Sequence, residues 1–373
     1  MQKVRYHPIF TLLLITLMTF GLMMIFSASS VKSLEETNNA SMYLYFRKQL
    51  ISDVVGVIVG IVVAMYPYTK WRKWIVWINL AVIVLLVLVG FTPLGQSING
   101  AKRWLALGPL SFQPSELAKL VIIITVSHIL SVAKRFNNLN TISTLSIIGV
   151  YVIGMGALIG IPENHASVVM IIIMVVGTML FFAGINRFLF FGGILSGGLV
   201  GALIILTSEF RRQRVLTFLD PLADKLGDGY QITQNWYALG SGELFGIGLG
   251  LGRQKFGWLP ENHTDFILAV IGEELGFVGV LFCILLIVGL YIFGTSIALN
   301  AKDEFGTILV MGVILLILYQ AAMNMAVISG LFPVTGIPLP FVSFGGTSSI
   351  MLCMMMGCVY NVYSYTKNNE ESE

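Results

Sequence analysis

The chain has 373 residues, of which 41 are charged (22 Lys and Arg, 19 Asp and Glu) and 56% are hydrophobic, with a mean hydropathy of +0.86. A soluble domain carries about 25% charged residues, so 11% leaves too little polar surface to coat a globule of this size, which excludes a soluble enzyme. The net charge of +3, with no Lys/Arg-rich arm and no RNA-binding aromatic pattern, gives no reason to expect a nucleic-acid partner and points instead to lipidic substrates.

Lys3 and Arg5 precede an apolar run from Pro8 to Ile25 that is long and followed by others, so it reads as a retained first span rather than a cleaved signal. At about 20 residues per crossing, the apolar runs predict an all-α polytopic membrane protein. Its ten transmembrane helices lie near 9–28, 49–67, 75–91, 115–132, 142–161, 167–185, 188–207, 266–294, 306–329 and 345–364, with nine or eleven left open. The fourth is the least hydrophobic and carries Glu116, Lys119 and His128. An even number puts both termini on one side. The short loops then hold ten Lys and Arg on that side against five (Lys32, Arg47, Lys48, Lys102, Arg103) on the other, which makes the termini cytoplasmic. Cys283, Cys353 and Cys358 lie inside apolar runs without metal-ligand or disulfide spacing and read as small core residues.

Residues 1–373 thus form a single integral membrane domain with one sizeable hydrophilic stretch, 208–265, a large structured extracytoplasmic loop between the seventh and eighth helices. Turn signals at Asp220-Pro221 and Gly227-Asp-Gly229 and a glycine-dense run from Gly240 to Gly252 punctuate it. Between them, Tyr230–Leu239 has the pattern of a short amphipathic helix on the membrane surface. This loop adds Arg211, Arg212, Arg214, Lys225, Arg253 and Lys255 to the outer face, and anionic headgroups or a diphosphate are the natural counterparts of so many misplaced cations. Residues 365–373 read as a disordered acidic cytoplasmic tail.

Ionisable groups at bilayer depth are functional suspects because burying them unpaired is costly; here they are Asp53, Glu116, Lys119, Glu163, Asp265, Glu273 and Glu274. Glu116 and Lys119 share a helix face three residues apart, either as a plain intrahelical ion pair or as the lining of a polar cavity that meets substrate. Glu261, His263 and Asp265 fall within five residues just before a long apolar helix, where a carboxylate either caps the helix or does chemistry. The run from Gly330 to Gly346, with three prolines, interrupts the hydrophobic pattern, reads as a re-entrant loop lining a cavity, and contains the candidate Ser343. No phosphate-binding loop, His-Glu-x-x-His or Gly-x-Ser-x-Gly element is present, so nucleotide hydrolysis, zinc proteolysis and serine hydrolysis have no support.

The elements Asn99-Gly-Ala-Lys-Arg-Trp104, Phe112-Gln-Pro-Ser-Glu-Leu-Ala-Lys119, Arg212-Gln-Arg214 with Phe218-Leu-Asp-Pro221, Gly229-Tyr-Gln231, Gly240-Ser-Gly242, Leu259-Pro-Glu-Asn-His-Thr-Asp-Phe266, Glu273-Glu-Leu-Gly276 and Gly336-Ile-Pro-Leu-Pro-Phe-Val-Ser-Phe-Gly-Gly346 occur in order over nearly the whole chain. In them the sequence resembles the FtsW/RodA/SpoVE (SEDS) family of bacterial division, shape and sporulation proteins, and looks closer to FtsW and SpoVE than to RodA.

The resemblance implies ten transmembrane helices with cytoplasmic termini in the bacterial cytoplasmic (inner) membrane. It implies a peptidoglycan glycosyltransferase that polymerises lipid II into glycan strands on the outer face, and a class B penicillin-binding protein as transpeptidase partner within the divisome or elongasome. It also implies that Asp265 is the residue essential for polymerisation. Where the family commonly shows Pro-Asp-Leu-Gly-Thr, this chain reads Pro162-Glu-Asn-His-Ala-Ser167, so no catalytic role carries over to Glu163.

The chemistry fits the residues independently: the 4-hydroxyl of an acceptor sugar displaces undecaprenyl diphosphate, and a carboxylate takes the proton. Asp265 is the candidate base, and Arg103, Arg214, Arg253 and Lys255 are candidates to neutralise the diphosphate. Inversion from α donor to β product requires a single displacement without a covalent nucleophile. Glu116, Lys119, Glu261, His263 and Ser343 complete the substrate-binding candidates. No resident metal is expected; a divalent cation, Mg or Mn, would travel with the diphosphate. Two rival readings use the same features: a lipid II flippase, and a non-catalytic scaffold of the division machinery.

Overall fold

The computed structural model describes residues 2–98, 101–107, 110–163, 165–193, 195, 197, 198, 209–224, 227 and 229–371. Asn99, Gly100, Asn164, Lys225, Asp228 and most of the anticipated span 188–207 lie outside the described residues.

Helices dominate. In chain order they are α1 (Pro8–Glu36), α2 (Leu44–Met65), α3 (Ile75–Phe91), α4 (Pro114–Arg135), α5 (Ile142–Gly160), α6 (Ala166–Ala183), a helical stretch described over 187–193 (α7), α8 (Glu209–Leu219), α9 (Tyr230–Gly242), α10 (Ile267–Leu299), α11 (Glu304–Ile328) and α12 (Gly346–Glu370). Among the described residues seven of them, α1, α2, α4, α5, α6, α10 and α11, are long and apolar enough to cross a membrane, and α3 is a shorter apolar helix. Their outer faces carry exposed Val76, Trp77, Val150 and Ile153, the apolar exterior that lipid requires.

Local chemistry sets the starts. Pro8 and Pro114 occupy first turns, where their missing N–H costs nothing. Asp303 caps α11 by accepting from the Gly306 N–H at 3.0 Å. In the centre, α4 and α11 are the most enclosed helices, each buried over 78% of its apolar window. Around them, α12 packs along α2 through small residues: a Cβ on Gly357 would stand 2.3 Å from the Gly60 carbonyl oxygen, and one on Gly60 would stand 2.6 Å from that of Cys353. The two backbones meet with no room for side chains.

Two features depart from the sequence reading. First, the all-α description needs a small three-stranded antiparallel sheet between α3 and α4: β1 (Gly95–Ile98), β2 (Ala101–Leu107) and β3 (Leu110–Phe112), in the order β1-β2-β3. Its strands of 4, 7 and 3 residues are too short for an alternating pattern to stand out. Second, residues 365–370, read as disordered tail, continue α12. The Arg5 guanidinium holds Glu371, and Asn368 accepts from Arg5 Nε at 2.8 Å and donates to the Lys3 carbonyl at 2.8 Å. The amino-terminal residues thus supply the partners that a local charge count does not see.

Helix α10 is broken at Gly276 (φ +68°, ψ −165°). Here the glycine-dense segment after α9 lies against the helix backbone. The Phe277 and Val278 N–H groups donate to the Glu243 and Leu244 carbonyls, and the Ile247 and Gly248 N–H groups donate to those of Glu273 and Glu274, all at 2.9–3.1 Å. A Cβ on Gly246 or Gly276 would fall within 2.5 Å of this backbone, so glycine supplies both the left-handed conformation and the clearance.

Candidate active site

Asp265 closes the turn that leads into α10. Glu261, at φ +52°, accepts from the Thr264 and Phe266 N–H groups at 3.2 Å through its carbonyl and from the Thr264 hydroxyl at 2.9 Å through its carboxylate. Across the turn, the Asn324 amide of α11 donates to the Asp265 carbonyl at 2.7 Å and to the Ile337 carbonyl at 2.8 Å. One side chain thereby joins the Asp265 turn to the irregular segment between α11 and α12. That segment passes so close that a Cβ on Gly336 (φ +68°) would sit 3.4 Å from Asp265 Oδ2.

Burial, reinforced by the neighbouring Glu261 charge and opposed by Arg103, pushes the Asp265 carboxyl up to about 7. Desolvation penalises the charged form, which is how a carboxyl becomes a base matched to neutral pH. Arg103 comes from β2, and its Nε donates to the Glu163 carbonyl at 3.0 Å. Its charge acts on Asp265, Glu163 and His165, and it lies near Arg214. Arg214, on α8, reaches the Val334 carbonyl at 3.5 Å. Burial lowers the affinity of both guanidinium groups for their protons, yet guanidinium stays charged at any physiological pH.

Behind Arg103, Lys119 Nζ donates to Glu116 Oε1 at 2.7 Å. The two residues are 1% and 4% exposed, which makes this a desolvated pair rather than a surface one. In the loop between α5 and α6 lie Glu163 and His165, and the Ser167 hydroxyl just after them donates to the Thr335 carbonyl at 3.2 Å. The structure therefore gathers Asp265, Glu261, Arg103 and Arg214 with the Glu116–Lys119 pair and the loop carrying Glu163 around one end of the helix bundle.

Other candidates stand elsewhere. Lys255 is buried and bonded to Glu274 Oε1 at 2.9 Å and to the Gly250 carbonyl at 2.6 Å. Glu274 also accepts from the Ser27 hydroxyl at 2.6 Å and the Gly250 N–H at 2.9 Å, and Glu273 accepts from the Arg253 N–H at 2.8 Å. This cluster pins the broken turn of α10. The Arg253 side chain is exposed beside it. His263 packs its ring against Tyr45 and Phe344 (centroids 4.6 and 5.6 Å), and burial holds it neutral, down to about 4. The Ser343 hydroxyl accepts from the Leu339 N–H at 2.8 Å and so closes the 339–343 turn.

Sequence reasoning missed Asn324, Gly336 and His165. A lone Asn in an apolar helix and a glycine beside Pro-rich backbone were the available signals for the first two.

The FtsW/RodA/SpoVE family, described as cell cycle proteins, matches residues 7–368. The chain is 37% identical to a probable peptidoglycan glycosyltransferase FtsW of Trichlorobacter lovleyi over 96% of this chain and 93% of that protein. It is also 37% identical to the stage V sporulation protein E of Bacillus subtilis, over 98% and 100%. Among solved structures, a peptidoglycan synthase complex described by its coordination of polymerization and crosslinking matches with a TM-score of 0.77 at 23% identity, covering 98% of this chain and 99% of that one. The rod shape determining protein RodA of Thermus thermophilus matches with a TM-score of 0.69 at 23% identity, covering 96% of each chain. With the family match spanning almost the whole chain and the fold shared from end to end, this protein belongs to the FtsW/RodA/SpoVE family.

Proposed function

We infer that this protein is a peptidoglycan glycosyltransferase that polymerises lipid II on the outer face of the cytoplasmic membrane, with Asp265 as its general base. The observation that carries this reading is the placement of the Asp265 carboxylate at the entry to α10, against Gly336 and under the charge of Arg103, where burial pushes it up to about 7. Asp265 takes the proton from the acceptor 4-hydroxyl as that oxygen attacks the anomeric carbon of the donor, and the bond to undecaprenyl diphosphate breaks in the same displacement. The configuration inverts and no covalent glycosyl-enzyme forms. Arg103 and Arg214 receive the charge that builds on the departing diphosphate, as guanidinium groups pair with phosphate oxygens.

A divalent cation, Mg or Mn, would travel with the diphosphate as part of the substrate. Ten spans with both termini cytoplasmic, and the 208–265 segment outside, fit the Lys/Arg distribution of the short loops and put Asp265 where lipid II and its products meet water. A class B penicillin-binding protein, cross-linking the strands, is the partner. This accords with relatives named for glycosyl transfer and a structural neighbour described as coordinating polymerization with crosslinking.

The test uses purified protein, alone and with its co-expressed transpeptidase, incubated with lipid II, comparing wild type with Asp265→Asn. Glycan strands from wild type and none from an intact mutant complex support the assignment. Equal polymer from both removes Asp265 from the mechanism, and no polymer from either folded complex moves the reading to lipid II transport or scaffolding.

A further inference from the structure

Two side chains at the site have no role in the mechanism above. Glu163 is 0% and His165 5% exposed. Among the described residues neither ring nitrogen of His165 has a hydrogen-bond partner, and neither carboxylate oxygen of Glu163 makes a hydrogen bond of regular geometry, the Ser115 hydroxyl being the one nearby donor that favours its charged form. Four such polar atoms on two residues of one short loop are a concentrated exception, since buried polar groups are almost always paired. Their neighbours are committed: Lys119 to Glu116 and Arg103 Nε to the Glu163 carbonyl. The loop is anchored to the catalytic wall, because Ser167 holds the carbonyl of Thr335, the residue before the Gly336 that flanks Asp265.

The chemistry of the missing partner follows from the orphans. Burial, with the charges of Arg103 and Lys119, holds His165 neutral, down to about 3, so its ring offers one donor and one acceptor. Burial pushes Glu163 up to about 7, against the opposing pull of Ser115 and Arg103 and with a further push from Glu116. The two residues together call for an uncharged ligand that carries hydroxyl or amide N–H donors as well as an acceptor. A diphosphate supplies no donors, would be repelled by an ionised Glu163, and already has Arg103 and Arg214. An amino sugar, with its ring hydroxyls and acetamido group, supplies both kinds of atom.

We propose that Glu163 and His165 form a sugar-binding edge of the active site, with His165 hydrogen-bonding the amino-sugar portion of lipid II. This rests on the glycosyltransferase reading. Equilibrium binding of lipid II and of undecaprenyl diphosphate, which lacks the sugar, is measured on the full-length protein in nanodiscs for wild type, His165→Gly and His165→Asn. A melting curve checks that each variant keeps the fold.

A lost polar contact in a buried site should weaken lipid II binding by about tenfold and leave undecaprenyl diphosphate binding unchanged. Asn, whose amide offers both N–H donors and a carbonyl acceptor, should recover part of the loss. In polymerisation assays the defect should fall on KM rather than kcat. Equal losses for both lipids, or no loss for either in the folded variant, overturn the proposal. Sugar-selective binding that depends on His165, in a wild-type complex that makes no polymer, would overturn the glycosyltransferase reading while supporting this one.

Discussion

If Asp265 is the base, the pH dependence of polymerisation is set by groups that can be changed one at a time. The rise of its carboxyl from the ordinary 3.8 to about 7 amounts to roughly 4 kcal/mol held against the charged form. Only the ionised form accepts the proton, so kcat/KM should climb about tenfold per pH unit below 7 and level off above it; at pH 6 about a tenth of the plateau remains. Glu261 raises this carboxyl and Arg103 lowers it. Glu261→Gln should therefore move the midpoint to lower pH, and Arg103→Gln should move it to higher pH while also lowering the plateau through loss of diphosphate neutralisation.

The sign for stability runs the other way. A carboxyl that holds its proton more tightly when folded contributes stability that is full below about 3.8 and lost as pH rises through about 7. The fold should therefore give up stability over the same range in which activity appears. The assay is initial-rate lipid II polymerisation from pH 5.5 to 8.5 on the partner complex, with melting curves alongside. A flat profile, or a shift of Glu261→Gln to higher pH, would refute the assignment.

Lys119→Met should destabilise the protein by about 3–5 kcal/mol, because Glu116 is left buried without its partner; Glu116→Gln combined with it should recover most of that in detergent melting curves. Lys255→Met should cost less than this, because Glu274 at the break in α10 loses its cation but keeps its bonds from the Ser27 hydroxyl and the Gly250 N–H, and it should come without the shift in pH midpoint that Glu261→Gln brings. Gly357→Leu should separate α2 from α12, since its Cβ would stand 2.3 Å from the Gly60 oxygen. Lost folded yield in size-exclusion profiles would report it, and a well-folded variant would contradict the packing.

How far the sequence reaches can be judged from particular residues. The membrane body was legible because a bilayer imposes one requirement, satisfied backbone under an apolar surface, on every 20 or so residues. The boundaries of α3 and α5 accordingly match the hydropathy reading to within a residue. The place of Asp265 just before a long apolar helix was legible in the sequence, and the Glu116–Lys119 pair was legible through helical spacing. The three-stranded sheet that delivers Arg103 was not, being too short to carry a period, and the α12 extension was not, because its partners come from the opposite end of the chain.

Tertiary structure alone decided what each charge is for. Lys255 and Arg103 look equivalent as cations in outer loops, yet one is sealed against Glu274 and the other lies between Glu163 and Asp265. His263 and His165 look equivalent as histidines beside a carboxylate, yet one is packed between aromatic rings and the other is buried with both nitrogens unpartnered. Composition and spacing determine which residues leave water, since that depends on transfer energies summed along the chain. Which charge meets which partner depends on distances between segments up to hundreds of residues apart, and these exist only once the helices have packed.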